Sequence, residues 1–214
     1  MRSARRATVT TVTSRRVALS DVTATRKPHL PVLSDGIVTL RPFAASDASA
    51  LVRIWTDPTI RARNTVPEPT VDAALRWVAG HGPAAESGEA WEWAVVDPET
   101  ERLAGRRVLK ALDWDQGRAT AGVWLSPDFR GRQFAPRSLR LAAAYAFERG
   151  LVRVEAKCEA DNAASIRSVV SAGMRHEGTL RSYFVSHAGQ RVDAEIFSLL
   201  AEDLAGAPVF HGPR

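Results

Sequence analysis

The feature that most constrains this sequence is a strand, a basic loop and a helix that follow one another directly. Alternating apolar residues predict a strand over residues 118–125, and an apolar stripe closed by Gly150 predicts a helix over Arg137–Arg149. The polar loop between them carries Arg130 and Arg132. A helix N-terminus offers unpaired N–H groups and about half a positive charge, so this layout predicts a site for an anion such as a pyrophosphate. A basic surface loop without a ligand is the alternative.

The segments around this feature predict one domain that mixes strands and helices. Strands over residues 91–96, 103–112 and 118–125, separated by turns, indicate an antiparallel meander. Further predicted strands cover residues 37–42, 152–158, 178–185 and 192–199, and further predicted helices cover residues 46–55, 70–80 and 162–172. Short strands with helices between them, and no internal repeat, indicate the α/β class.

Composition excludes several classes of protein. With 45% hydrophobic and 25% charged residues, the chain is neither fully disordered nor collagenous nor a coiled coil. Its one cysteine, Cys158, can form no disulfide framework and no cysteine-based zinc site, and we expect no metal and a cytoplasmic location. Cys158 falls in an apolar alternation, which favours an inert buried thiol. The sequence contains no run of 18 apolar residues, so it predicts no membrane-spanning helix.

The excess of positive charge is confined to the beginning of the chain. Residues 1–34 hold seven basic residues and one acidic residue, whereas residues 35–214 hold 22 basic and 23 acidic residues. This leader is rich in Ser and Thr and lacks Phe, Trp and Tyr, so we expect it to be disordered. A transit peptide and a basic arm for acidic partners are the alternatives. Because the rest of the chain is balanced, no nucleic-acid partner is expected.

Several ordered motifs together resemble the GNAT superfamily of acetyl-CoA-dependent N-acetyltransferases, in its RimJ/RimL-like branch. The resemblance covers about residues 36–204, and it rests on Gly122–Leu125, Pro127–Ala135, the pair Asn162 and Ser165, Gly173–Gly178, Asp193 and Ser198–Leu200. It implies a mixed, mostly antiparallel, twisted sheet of about seven strands flanked by helices. The acetyltransferase domain would cover residues 35–205, followed by a flexible tail over residues 206–214.

The resemblance also implies roles for individual residues. The strand residues Val123, Trp124 and Leu125 would lie beside the pantetheine arm of acetyl-CoA, with a backbone N–H polarising the thioester carbonyl. The pyrophosphate would be wrapped by Arg130, Gly131, Arg132, Gln133, Phe134 and Ala135. Asn162 would hold the cofactor near its thiol, and Ser165 would protonate the departing thiolate. A simple helix cap at Asn162 and an ordinary helix serine at Ser165 are the alternatives.

Four positions depart from the family pattern. Gln133 replaces the glycine that lets the backbone approach a phosphate, and Arg137 replaces a common glutamate. Thr120 stands where many relatives carry a glutamate base, and Val169 stands where some carry a tyrosine acid. The chain therefore lacks the usual base and one usual acid of the family.

The missing base favours a weakly basic acceptor. An N-terminal α-amine, with a pKa of about 7.7 to 8.0, is roughly 10 to 20% neutral at pH 7, whereas a lysine is neutral about one time in 2,500. We therefore expect the acceptor to be the α-amine of a protein or peptide. We expect the enzyme itself to be a monomer or a homodimer. Water relayed to Glu92, Glu155 or Asp113 is a possible base. A small-molecule amine as acceptor and a catalytically weakened acyl-CoA-binding module are the alternatives.

Overall fold

A computed structural model describes residues 30–186 and 188–204. The disorder expected for the leader therefore lies, over residues 1–29, outside the described residues, and so does the tail expected over residues 206–214. The remaining predictions concern residues that the structure describes.

The described residues form eight strands and five α-helices. The strands are β1 (Leu33–Ser34), β2 (Thr39–Arg41), β3 (Ala90–Val96), β4 (Leu103–Asp113), β5 (Arg118–Leu125), β6 (Arg153–Glu159), β7 (Arg175–Val185) and β8 (Arg191–Leu200). The helices are α1 (Ala48–Trp55), α2 (Pro58–Arg63), α3 (Val71–Ser87), α4 (Phe134–Glu148) and α5 (Ala163–Ser171). Short 3₁₀ turns lie at Ala45–Asp47, Pro127–Phe129 and Ala201–Leu204.

All eight strands belong to one sheet, in the order β1-β2-β3-β4-β5-β6-β8-β7. Every neighbouring pair is antiparallel except β5 and β6, which are parallel. The predicted α/β class and the meander of β3, β4 and β5 are confirmed. The sheet has one strand more than the seven expected, because the two-residue β1 pairs with β2.

The folded region begins earlier than the predicted boundary at residue 35. Leu30 is buried, and the indole Nε1 of Trp93 donates to the carbonyl oxygen of Pro31 over 3.2 Å. Leu33 and Ser34 then pair with β2. The leader itself has no aromatic residue, but Trp93 on β3 supplies the anchor, so the composition of residues 1–34 alone did not reveal where order starts.

Three helix boundaries differ from the sequence prediction. Asp57 ends α1 but also begins α2, since its Oδ1 accepts from the backbone N–H of Ile60 over 2.8 Å and Pro58 is the first helical residue. Helix α3 begins at the predicted cap Thr70 but continues past Gly80, ending at Gly88 with φ +75°. Helix α4 begins at Phe134, three residues before the predicted start.

The parallel contact between β5 and β6 is short. Only three pairs form, the last of them between Thr120 and Glu155. Beyond that pair the described residues of the two strands separate, while β6 stays paired with β8 along its length. This separation opens the middle of the sheet beside the N-terminus of α4, where the basic loop lies.

Candidate active site

Two adjoining clefts occupy the gap between β5 and β6. The first has a volume of about 570 Å³ and is lined by the basic loop, the end of β5, and parts of α2 and α5. The second has a volume of about 700 Å³ and extends toward the end of β4 and toward β7. Both clefts share Arg63, Asn64, Val123, Asn162 and Ser165 in their linings. The shared residues mark a junction at which two bound molecules would meet.

The first cleft gathers almost all of the residues predicted to bind a cofactor. Its lining includes Val123, Trp124, Leu125, Arg130, Gly131, Gln133, Phe134, Ala135 and Asn162. The indole of Trp124 is buried in the core beside α1, so the backbone of that residue is the part nearest the cleft. Arg132 is the one predicted residue that lies outside the lining of this cleft.

The basic loop presents backbone N–H groups to the first cleft. Gly131 has φ +75° and Gln133 has φ +64°, and these left-handed residues curl the chain into the first turn of α4. Among the described residues, none accepts a hydrogen bond from the N–H groups of residues 131–135, whereas the N–H of Arg137 is bonded to the carbonyl of Gln133. Pro136 has no N–H to offer. Several consecutive donors beside a helix N-terminus fit an anionic group.

Gln133 occupies a conformation that favours glycine. A residue with a side chain at φ +64° carries a strain of about 1 kcal/mol, which a glycine would avoid. The Gln133 amide oxygen accepts from the hydroxyl of Ser171 over 3.2 Å, so the side chain reaches α5 across the first cleft. A glutamine at position 133 therefore costs backbone strain and gains one hydrogen bond, from Ser171.

The two loop arginines have different surroundings. The guanidinium of Arg130 donates to the carbonyl oxygen of Leu125 over 3.2 Å and to Asp57 over 2.8 Å, and it remains 40% exposed at the cleft. The side chain of Arg132 lies against the rings of Phe129 and Phe134, 3.8 Å from Asp97. Only the backbone N–H of Arg132 is therefore placed to contact an anion in the first cleft.

Asn162 and Ser165 stand together at the junction. Asn162 caps α5, its Oδ1 accepting from the N–H of Ser165 over 3.1 Å. The hydroxyl of Ser165 lies 3.1 Å from the thiol of Cys158, and burial raises the pKa of that thiol. The thiol therefore stays protonated and can donate to Ser165, which leaves the serine hydrogen free to point into the clefts. Asn162 therefore caps the helix and also lines both clefts.

Sequence reasoning missed Arg107, which is 2% exposed and lines the second cleft. Its guanidinium donates to the carbonyl of Gly122 over 3.2 Å, to the carbonyl of Ala135 over 2.6 Å and to the hydroxyl of Ser138 over 2.9 Å. Burial lowers its pKa to about 9. The side chain ties β5 to the first turn of α4. No sequence signal distinguishes Arg107 from the neighbouring Arg106, whose side chain is more exposed.

The proposed bases lie outside both clefts. The carboxyl of Glu92 is bonded to His81 and Arg106, and that of Glu155 to Arg153 and Lys157. Burial by itself would raise the pKa of both carboxyl groups. The hydrogen bonds outweigh burial and lower the pKa of Glu155 and of Glu92.

Asp113 is paired with Arg118 and also lies outside both linings. Thr120 and Val169 line the second cleft, where the carboxylate present is that of Glu159, paired with Arg63. None of the five residues shared by the two clefts carries a carboxylate.

In the part of the chain that the structure describes, no helix combines the length and the apolar character needed to cross a bilayer. Within residues 30–186 and 188–204, no three His, Cys, Asp or Glu side chains are grouped as a metal site requires.

Comparison with known proteins supplies relatives for this arrangement. Residues 38–175 match the acetyltransferase (GNAT) domain family. An uncharacterised N-acetyltransferase of Bacillus licheniformis, p20, is 30% identical over 171 residues, which cover 79% of this chain and 96% of p20.

Two solved structures have a similar fold. Mycobacterium smegmatis RimJ, in complex with CoA-disulfide, has a TM-score of 0.73 at 21% identity, covering 83% of this chain and 90% of that chain. The ribosomal-protein-S5-alanine acetyltransferase of Vibrio fischeri has a TM-score of 0.71 at 16% identity, covering 81% of this chain and 98% of that chain. The family match includes the junction residues Val123, Asn162 and Ser165.

Proposed function

Since this chain belongs to the GNAT acetyltransferase family, we propose that it transfers the acetyl group of acetyl-CoA to the N-terminal α-amine of a peptide or protein. Membership confirms the family predicted from the motifs. The observation that carries the finer proposal is the junction of two clefts at Val123, Asn162 and Ser165, because direct transfer requires donor and acceptor to meet at one point.

The first cleft suits the donor. The free N–H groups of residues 131–135 and the guanidinium of Arg130 would hold the pyrophosphate, and the unpaired end of β5 would lie beside the pantetheine arm as a neighbouring strand does. The similar fold of RimJ supports a CoA donor, since that protein was solved with a CoA disulfide. When bound, acetyl-CoA supplies an activated thioester.

Ser165 is proposed as the group that protonates the departing thiolate. Ser165 lines both clefts, and when the Cys158 thiol donates to its hydroxyl oxygen, the serine hydrogen is available for the leaving group. Val169, at the position of the tyrosine acid of some relatives, can donate no proton. The lack of a donor at Val169 and the position of Ser165 at the junction support this role for Ser165.

The acceptor is proposed to be an α-amine because the junction offers no strong base. The carboxylate of Glu159 is held by Arg63, and Glu92 and Glu155 lie outside the clefts with lowered pKa values. An amine with a pKa of about 7.7 to 8.0 needs little help to lose its proton at pH 7, whereas a lysine needs roughly 3.5 kcal/mol. The chemistry of the site and the chemistry of an α-amine therefore match.

The role of Ser165 is tested by Ser165→Ala, with Ser87→Ala as a control on another helix. We expect Ser165→Ala to lower kcat about 100-fold without changing the Kd of acetyl-CoA, since the interaction forms mainly in the transition state. Ser87 bonds only to the carbonyl of Ala84, so its loss should leave both constants unchanged. Thiol release measured in single turnovers gives the chemical rate. An unchanged rate for Ser165→Ala would assign the serine to the structure alone.

The acceptor is tested with a matched pair of peptides. One has a free N-terminus and no lysine, and the other has a blocked N-terminus and one lysine. We expect the mass of the first alone to increase by one acetyl group. Acetylation of the lysine peptide, or of small amines alone, would refute the proposed acceptor. Binding of acetyl-CoA without thiol release on any amine would favour the acyl-CoA-binding module.

A further inference from the structure

The second cleft carries many more cations than anions. Its charged lining consists of Arg61, Arg63, Arg107, Lys110, Lys157 and Glu159. The excess of positive charge matters for the acceptor, because this cleft leads from the surface to the junction where the amine would react.

Some of these cations are neutralised inside the protein. Arg63 is paired with Glu159 and Asp161, and Lys157 lies 3.2 Å from the carboxylate of Glu155. The pair of Arg63 and Glu159 joins α2 to the end of β6, and the pair of Lys157 and Glu155 lies within β6. These carboxylates leave little net charge for a ligand.

Lys110 and Arg61 are not neutralised in this way. Lys110 is exposed on β4, and its side chain forms no ion pair or hydrogen bond with the part of the chain that the structure describes. Arg61 lies 3.3 Å from Glu68, whose side chain is 78% exposed, and such surface pairs contribute little. The Nη1 of Arg61 is buried and has no acceptor among the described residues. The Arg61 side chain as a whole is 38% exposed, so its charge remains open to an anion in the second cleft.

Arg107 adds a third uncompensated charge beneath the cleft. Each of its hydrogen bonds goes to a neutral oxygen, and no described carboxylate is paired with it. A charge in a low-dielectric surrounding acts over a longer distance than an exposed one. The floor of the cleft therefore reinforces the field of Lys110 and Arg61.

We propose that the acceptor is an acidic peptide, with carboxylates in the residues that follow its N-terminal amine. This inference rests on the proposed function and narrows its substrate class. A cleft of about 700 Å³ exceeds what a single carboxylate fills, and its wall includes the exposed side chains of Tyr183 and Val185, so a chain of several residues fits it better than an ion. Lys110 and Arg61 contact the acidic side chains, and the α-amine reaches the junction at Ser165.

The test compares three peptides of equal length that begin with the same residue and continue with glutamates, glutamines or lysines. We expect kcat/KM at saturating acetyl-CoA to be about tenfold higher for the glutamate peptide than for the glutamine peptide, and lowest for the lysine peptide. The preference should shrink between 50 and 500 mM salt, since screening shortens the reach of exposed charges. Lys110→Glu and Arg61→Glu should each reduce or reverse it.

Arg76→Glu is the matched control, because Arg76 is exposed on α3 and lies outside both clefts. It changes the net charge equally and should leave the preference intact. Unchanged acetyl-CoA affinity and Tm in all three variants would show that the donor site and the fold are preserved. Equal kcat/KM for the three peptides, or a preference that survives Lys110→Glu and Arg61→Glu together, would overturn the proposal.

A further arm separates failure of this inference from failure of the proposed function. O-phosphoethanolamine and ethanolamine form a pair of small amines with and without an anion. Acetylation of these amines alone, with no peptide acetylated, would refute the peptide function and the acidic-peptide proposal together. Acetylation of all three peptides at equal rates would leave the proposed function standing and refute only the selectivity.

Discussion

The partly buried carboxylate of Glu92 should make a large, pH-dependent contribution to stability. Glu92 accepts hydrogen bonds from His81, over 2.9 Å, and from Arg106, and its side chain is 15% exposed. The other ring nitrogen of His81 lies 2.6 Å from the carbonyl oxygen of Trp77, so the ring is held in place beside the carboxylate. Burial raises the pKa of Glu92, but the bonds from His81 and Arg106 outweigh burial and lower it to about 2.

The magnitude follows from linkage between protonation and folding. A pKa lowered from 4.5 to about 2 corresponds to about 3 kcal/mol, since a tenfold change in an ionisation constant equals 1.36 kcal/mol. Because the folded-state pKa is the lower one, this stabilisation is fully present above pH 4.5. It is lost as the pH falls from 4.5 through 2, and below that range the carboxyl is protonated in both states.

The assay is urea unfolding of the unmodified protein and of Glu92→Gln over a series of pH values. We expect the variant to be less stable by about 3 kcal/mol at pH 7, and this difference should shrink steadily below pH 4.5. Other carboxylates titrate in both proteins, so their effects cancel in the difference. The reasoning would be refuted by a difference that stays constant between pH 7 and pH 3. Since Glu92 lies outside both clefts, kcat at a permissive temperature should not change.

Three further predictions concern the basic loop and the start of the fold. Gln133→Gly should raise the free energy of unfolding by about 0.5 kcal/mol in urea melts and tighten acetyl-CoA binding, because the left-handed backbone loses its strain. By calorimetry, Arg130→Ala should weaken acetyl-CoA binding by about 1 to 3 kcal/mol, whereas Arg132→Ala should change it by less than about 0.5 kcal/mol; equal losses would contradict the placement of the two side chains. A shortened chain that begins at Leu30 should keep its Tm, whereas one that begins at Asp35 should lose about 4 °C or more, since buried apolar contacts and a strand are removed.

The order of elements could be read from the sequence because its strands and helices are strongly patterned. The meander, the strand-loop-helix feature and the cap at Asn162 are local, and the structure contains all three. Helix α2 was missed because Asp57 and Pro58 form a signal that ends one helix and begins another with equal ease. The early start of the fold was missed because Trp93, which is distant in sequence, provides the contact for Pro31.

The candidate site was predicted in its backbone and less well in its side chains. The glycine-like position of Gln133 was identified from the motif, and its φ of +64° explains why a glycine is usual there. The direction of the Arg132 side chain and the burial of Arg107 depend on which aromatic rings and carbonyls surround them. Those surroundings arise from contacts between elements far apart in the chain, so neither could be inferred from local spacing.

The pairing of β6 has a consequence for how the protein is completed during synthesis. Only three residue pairs join β6 to β5, whereas seven join it to β8, which ends at Leu200. On the ribosome, residues 153–159 therefore wait for the final strand before most of their backbone groups find partners. Folding from the N-terminus can complete the meander while the gap still lacks its far wall. Competence to bring donor and acceptor together consequently arises only after the hairpin of β7 and β8 has left the exit tunnel.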